Sequence, residues 1–170
     1  MSDPAATTFD QTDAQVRLAE DRDHVQLRKL FQAGLQEGQV RGSDTGADIE
    51  NLRAAYFADD GESAFWVAEC EGRVIGMIGV QKTDEHAAEI RRLRVGEDFR
   101  RQGVGALLME QALGFCQGHG YLKIILDVRI ERSPAIALFE KFGFQLARTR
   151  EIDGQKLHDF YLNLYRDPSG

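Results

Sequence analysis

The 170-residue sequence predicts a mixed α/β domain, and three observations carry that reading. Two β-rich runs, SAFWVAEC and RVIGMIGVQ, are separated by Glu71-Gly72 and form a hairpin signal, with AAEIRRLRV following as a third antiparallel strand. Val104, Leu107, Leu108, Ala112 and Phe115 then repeat at helical spacing. Beyond them the short β-branched run LKIILDV leads into a second helical pattern and a last hairpin, so strands and helices alternate in the C-terminal half.

Residues 1–12 are polar with few apolar side chains and read as a disordered tail; residues 13–166 read as a single domain. Its expected order is β-α-α-β-β-β-α-β-α-β-β, about seven strands in a mostly antiparallel sheet with four helices. Ala14, Val16 and Leu18 alternate with polar residues and predict a first short strand. Asp21 and Asp23 offer N-cap oxygens to a helix on which Val25, Leu27, Leu30, Phe31 and Leu35 recur until Gly38. Residues 38–46 read as a loop, after which Ile49, Leu52, Ala55 and Tyr56 predict a second helix, broken by Asp59-Asp60-Gly61-Glu62. The three antiparallel strands follow, the last reached through a polar link from Lys82 to His86. Gly118 and Gly120 stop the third helix. LKIILDV is nearly apolar on both faces, which predicts a strand covered by helices. Ser133 and Pro134 are an N-cap and first-turn pair for the helix through Ile136, Leu138, Phe139 and Phe142, which Gly143 ends. Two final strands, near 144–150 and 156–164, flank Asp153-Gly154.

Composition narrows the function. A net charge of −7 disfavours nucleic acid and anionic membrane surfaces as partners. No run approaches the ~20 apolar residues of a membrane span, and MSDPAATTFDQTD lacks the basic-then-apolar character of a signal peptide, so the expected location is the cytoplasm. Cys70 and Cys116 lie far apart with no Cys or His ligand spacing, which predicts reduced thiols and no metal site.

The stretch RRQGVGAL, Arg100 to Leu107, sits between a strand and a helix. A helix N-terminus exposes unpaired N–H groups and partial positive charge, so this turn can hold an anion through its backbone. Gly103 lets phosphate oxygens approach the chain, and Gly105 lets the helix start close to a neighbouring strand or a ligand. Arg100 and Arg101 add charge at the rim. A dinucleotide fingerprint needs Gly or Ala where Leu108 stands, and a P-loop needs Gly-Lys-Ser/Thr after the glycines. On the motif alone, a plain turn with solvated arginines is an equal reading.

The stretch IRRLRVGEDFRRQGVGALL followed by RSPAIALFEKFGF resembles the two signature blocks of the GCN5-related N-acetyltransferase (GNAT) family, over about residues 65–144. More loosely, AFWVAECEGRVIGMIGV and FCQGHGYLKIILDV are similar to its camello-like branch. The resemblance implies a GNAT-like sheet splayed between the fourth and fifth strands, acetyl-CoA as co-substrate, and direct acetyl transfer to a primary amine of a small molecule or protein. It implies that Leu93, Arg94 and Val95 offer backbone groups to the pantetheine arm, with the N–H of Leu93 or Arg94 as oxyanion donor. Arg100, Arg101, Gln102, Gly103, Val104, Gly105 and Ala106 would hold the pyrophosphate through main-chain N–H groups.

Glu89 stands near the start of the fourth strand, where many relatives carry a glutamate base, and a partly buried carboxylate there would have a raised pKa. Read alone it is a solvated strand-edge carboxylate; Glu69, Glu97 and Asp98 are weaker candidates. Phe139 stands on the cofactor side where relatives usually carry the tyrosine that protonates the leaving thiolate, leaving water, Tyr161 or Tyr121 for that step. Arg132, where relatives often have Asn, either reaches a phosphate or is exposed. The acceptor is expected between residues 35–60 and the last hairpin. Asp44, Asp48, Glu50, Asp59 and Asp60 there either suit a cationic amine or form a solvated face, and His158 reads as structural, with a substrate contact as the alternative. The family leaves room for a homodimer. Phe139 also motivates an alternative, a non-catalytic acyl-CoA-binding or interaction domain.

Overall fold

The computed structural model describes residues 13–38, 43–129 and 133–165. The expected tail at 1–12, part of the 38–46 loop, Arg132 and the capping side chain of Ser133 lie outside the described residues.

Seven strands form one sheet in the order β1-β2-β3-β4-β5-β7-β6. Strand β1 (Gln15–Leu18) leads through a 3₁₀ turn into α1 (His24–Gln36), then α2 (Ala47–Glu50) and α3 (Leu52–Tyr56). Strands β2 (Ala64–Cys70), β3 (Arg73–Asp84) and β4 (Ala87–Val95) follow as an antiparallel meander. Its first turn has positive φ at both Glu71 and Gly72, the primed geometry that matches strand twist. After α4 (Val104–Gly118) come β5 (Lys123–Arg129), α5 (Ser133–Lys141), β6 (Gln145–Ile152) and β7 (Gln155–Asn163).

The two faces of the sheet are built differently. On one, Phe65, Val67 and Met77 pack with Leu27, Ile49 and Tyr56 from α1–α3. On the other, Trp66, Ile78, Val80, Ala88, Ile90 and Leu126 pack with Val104, Leu108, Met109 and Ala112 of α4 and Phe139 of α5.

Four expectations are corrected. The second predicted helix is two, giving five α-helices among the described residues, because Asn51 leaves helical geometry at φ −124°, ψ 57° between Glu50 and Leu52. Strand β5 is not covered on both faces. Ile124, Leu126 and Val128 are buried, whereas Lys123 and Asp127 are exposed. Asp23 makes no side-chain cap to α1; its buried carboxylate instead accepts from the Glu20 N–H at 2.8 Å and from Arg17 at 2.8 Å. Strand β3 also runs on to Asp84, so the polar link is only Glu85 and His86.

The pairing of β4 with β5 creates the site. It is the parallel pair of the sheet, and it holds for Ala87↔Lys123, Ala88↔Ile124 and Glu89↔Ile125. Strand β5 remains paired with β7 as far as Arg129, so beyond Glu89 a gap opens between β4 and β5.

Candidate active site

The gap is a cleft of about 180 Å³. Glu89, Leu93 and Arg94 of β4 face Asp127 and Arg129 of β5 across it, and Phe139 of α5 lines it. Four of the predicted site residues, Glu89, Leu93, Arg94 and Phe139, therefore share one cavity.

Glu89 is the last residue of β4 to pair with β5, so its side chain stands where the strands part. Burial pushes its carboxyl above the ordinary carboxylate range; Arg91, at 3.5 Å, opposes this, and Asp127 across the gap adds to it. A carboxylate poised this way takes a proton more readily than a solvated one. Asp127 was not singled out from the sequence. Its place opposite Glu89 depends on β4–β5 register, for which a single sequence carries no local signal.

Between Arg91 and Arg94, β4 carries one residue more than β3. Gly79 pairs with Arg91 and Met77 with Arg94, so Arg92 and Leu93 together oppose Ile78. Arg92 takes φ +61°, and a bulge of this kind leaves the extra residue out of the ladder and re-aims its backbone. Its guanidinium, 10% exposed, binds Asp44 at 2.5 and 2.9 Å and Asp48 at 2.6 and 3.0 Å. Burial alone would raise the pKa of both aspartates, but the hydrogen bonds from Arg92 hold them below the usual range. Glu50 likewise pairs with Arg28 at 2.8 Å, and Asp59 caps Ser63. The expected acidic acceptor face is therefore largely spent on internal ion pairs and caps.

At the C-terminal end of β4 the chain turns into α4. Gly103 is the N-cap at φ +85° with no side-chain cap, no acidic residue occupies the first turn, and Arg101 also has positive φ. The Leu107 N–H donates to the Gly103 carbonyl at 3.1 Å, which opens the helical ladder, and the N–H groups of the turn before it have no acceptor within the helix. A Cβ on Gly105 would sit 3.1 Å from Leu138 of α5 and 3.9 Å from Val95. The glycine thus admits a helix, α5, and through it the turn adjoins the helix that supplies Phe139. Arg100 does not reach outward from the rim. It donates to the Val95 carbonyl at 3.2 Å and to Glu37 at 2.7 Å, and Glu37 also accepts from Arg94 at 3.0 Å.

This arrangement fits acetyl-CoA: a parted strand pair for the thioester arm, and an uncapped helix start with no carboxylate of its own for the pyrophosphate. Glu69 pairs with Arg17 at 2.5 Å on β2, away from the cleft. Neither alternative proton donor lines the cleft. The Tyr161 hydroxyl donates to Gln145 at 2.9 Å and that of Tyr121 to the Glu62 carbonyl at 2.5 Å. Phe139 packs on Phe144 and Phe160, and His158 meets Thr149 across the last hairpin.

Residues 26–144 match the model of the family described as Acetyltransferase (GNAT) family. Among curated proteins the chain is similar to N-acetyltransferase 8 of Homo sapiens, 34% identical over 103 residues covering 58% of this chain and 45% of that one. It is also similar to N-acetylaspartate synthetase of Danio rerio, 32% identical over 100 residues covering 58% and 34%. The chain thus spans less than half the length of these curated relatives. Among solved structures, an acetyltransferase from Salmonella typhimurium with its cofactor acetyl-CoA superposes with a TM-score of 0.78 at 16% identity, covering 92% of this chain and 96% of that one.

Proposed function

We propose, from the premise that this chain belongs to the acetyltransferase (GNAT) family, that it transfers an acetyl group from acetyl-CoA directly to a primary amine. The observation that carries the reading is the β4–β5 gap, with Glu89 at its apex and the uncapped start of α4 beyond the end of β4.

In this reading acetyl-CoA supplies an activated acyl carbon. Backbone groups of Leu93, Arg94 and Val95 hold the pantetheine arm, and the main chain of 100–106 takes the pyrophosphate, with Arg100 locking the turn through Glu37. The N–H of Leu93 or Arg94 stabilises charge on the thioester oxygen. Glu89 accepts the proton of the incoming amine, directly or through a water, and its raised pKa suits that role. Phe139 has no proton to give, so the thiolate takes one from solvent.

The acceptor class we favour is a small amine that also carries an acid group. Glu89 and Asp127 suit the ammonium, while Arg91, beside Glu89 in the same cleft, lies near for the acid. The name of one relative, N-acetylaspartate synthetase, points the same way. Free thiols at Cys70 and Cys116 support a reducing, cytoplasmic setting. No helix of the described residues is long and apolar enough to cross a membrane.

Phe139 keeps one other reading in play, an acyl-CoA-binding domain without chemistry. Free-thiol release from acetyl-CoA, followed over a panel of amino acids, polyamines and peptides, separates the two. Amine-dependent release, strongest with amino acids, is expected; binding of acetyl-CoA without release on any amine would favour the second reading.

A further inference from the structure

The geometry points to Asp44, Asp48 and Arg92 as positioning residues that set the β4 bulge, and with it the backbone N–H groups facing the thioester; this rests on the acetyl-CoA reading of the cleft. Arg92 holds a left-handed backbone, φ +61°, that side chains other than glycine's resist. A glycine would adopt the same conformation freely. What holds it is the far end of the side chain. Four charge-assisted hydrogen bonds engage the guanidinium from both edges, and the Phe31 ring lies 5.1 Å from its centre.

The two carboxylates are themselves fixed. Asp48 accepts the Tyr56 hydroxyl at 2.6 Å, and Asp44 accepts the Gly46 N–H at 3.0 Å. Tyr56 is fully buried, and a Cβ on Gly46 would strike the Phe31 ring at 2.7 Å. The anchor is therefore rigid. A buried ion cluster adds little stability over an apolar substitute, so its use here is better explained by the geometry it imposes than by energy. It also makes the segment bearing Asp44 and Asp48, on the acceptor side, and the bulge, on the thioester side, a single mechanical unit. A shift of either moves the other.

The test compares Arg92→Ala with Arg92→Gly, each in an Asp44→Asn/Asp48→Asn background so that no buried carboxylate loses its partner. Acetyl-CoA is the probe, with its Kd from calorimetry, the Leu93 and Arg94 amide resonances from ¹⁵N spectra, and kcat on the best amine of the panel. The alanine variant should lose about tenfold or more in kcat and the acetyl-CoA-induced shifts of those two amides, with Kd changed about threefold or less. The glycine variant should recover most of both, because glycine keeps the bulge without the anchor. Alanine and glycine variants that behave alike, or an alanine variant with wild-type amide shifts and kcat, would overturn the inference. Asp48→Asn alone, a milder change, should show the same split of kcat from Kd if the triple variants do not fold, and an unchanged kcat there would count against it. Failure of wild-type protein to bind acetyl-CoA would instead overturn the reading of the cleft.

Discussion

Glu89 is uncomfortable where it stands. Burial and the facing Asp127 disfavour its charge, while Arg91 only partly offsets them. A carboxyl whose folded pKa exceeds its unfolded value binds its proton more tightly in the native state, so the fold loses stability as pH rises between those values. Glu89→Gln should therefore raise the melting temperature at neutral pH while lowering kcat by about 100-fold and removing the ascending limb of the pH–rate profile. That limb should lie above the ordinary carboxylate range. A variant with full rate and the same profile would remove Glu89 as the base. The sequence made Glu89 visible through the AAEIRRLRV strand and its resemblance to a family position. It did not make Asp127 visible, nor the left-handed Arg92, because a positive φ at arginine leaves no local trace and the β4–β5 register is set at long range.

Among the elements, those with complete local instructions were legible. Glu71-Gly72 and Asp153-Gly154 take positive φ at both residues and turn the two hairpins. Strand β4 has the predicted bounds, Ala87–Val95, and α4 begins at Val104, the first residue of the predicted helical stripe. Where an instruction depended on a partner, it failed. LKIILDV looked covered on both faces because Ile125 is apolar, yet only the face of Ile124, Leu126 and Val128 packs into the core, while Lys123 and Asp127 on either side of Ile125 are exposed. Asn51 divides a pattern that looked like one helix. Helix α4 is the element that ties the anion turn to the sheet: Leu108 is fully buried, and a Cβ on Gly76 of β3 would meet it at 3.0 Å. Leu108→Ala should cost about 3 kcal/mol, read as a lowered urea midpoint with unchanged slope. A loss below about 0.5 kcal/mol would mean the helix is not packed as described.

At the scale of the molecule, acid-sensitive links join the N-terminal helices to the sheet. Asp23 on Arg17, Glu37 on Arg100 and Arg94, and Asp44 and Asp48 on Arg92 would each be raised by burial, but their arginine partners depress them below their ordinary values. Asp159, held by Arg150 and Arg148, does the same for the β6–β7 hairpin. A carboxyl with a depressed folded pKa stabilises above its unfolded value and loses that contribution as pH falls through the folded one. The melting temperature should thus hold near neutrality and drop steeply below about pH 4. A melting temperature unchanged down to pH 3 would contradict these links.

The central claim is that the β4–β5 gap and the backbone turn at Arg100–Ala106 together hold acetyl-CoA. Calorimetric titration of the folded chain tests it most directly. The account predicts one-to-one binding, weakened about tenfold or more by Gly103→Val, which forces a branched side chain into φ +85° at the anion turn, and about threefold or less by Arg101→Ala. No heat of binding at millimolar acetyl-CoA, or a larger loss from Arg101→Ala than from Gly103→Val, would contradict it.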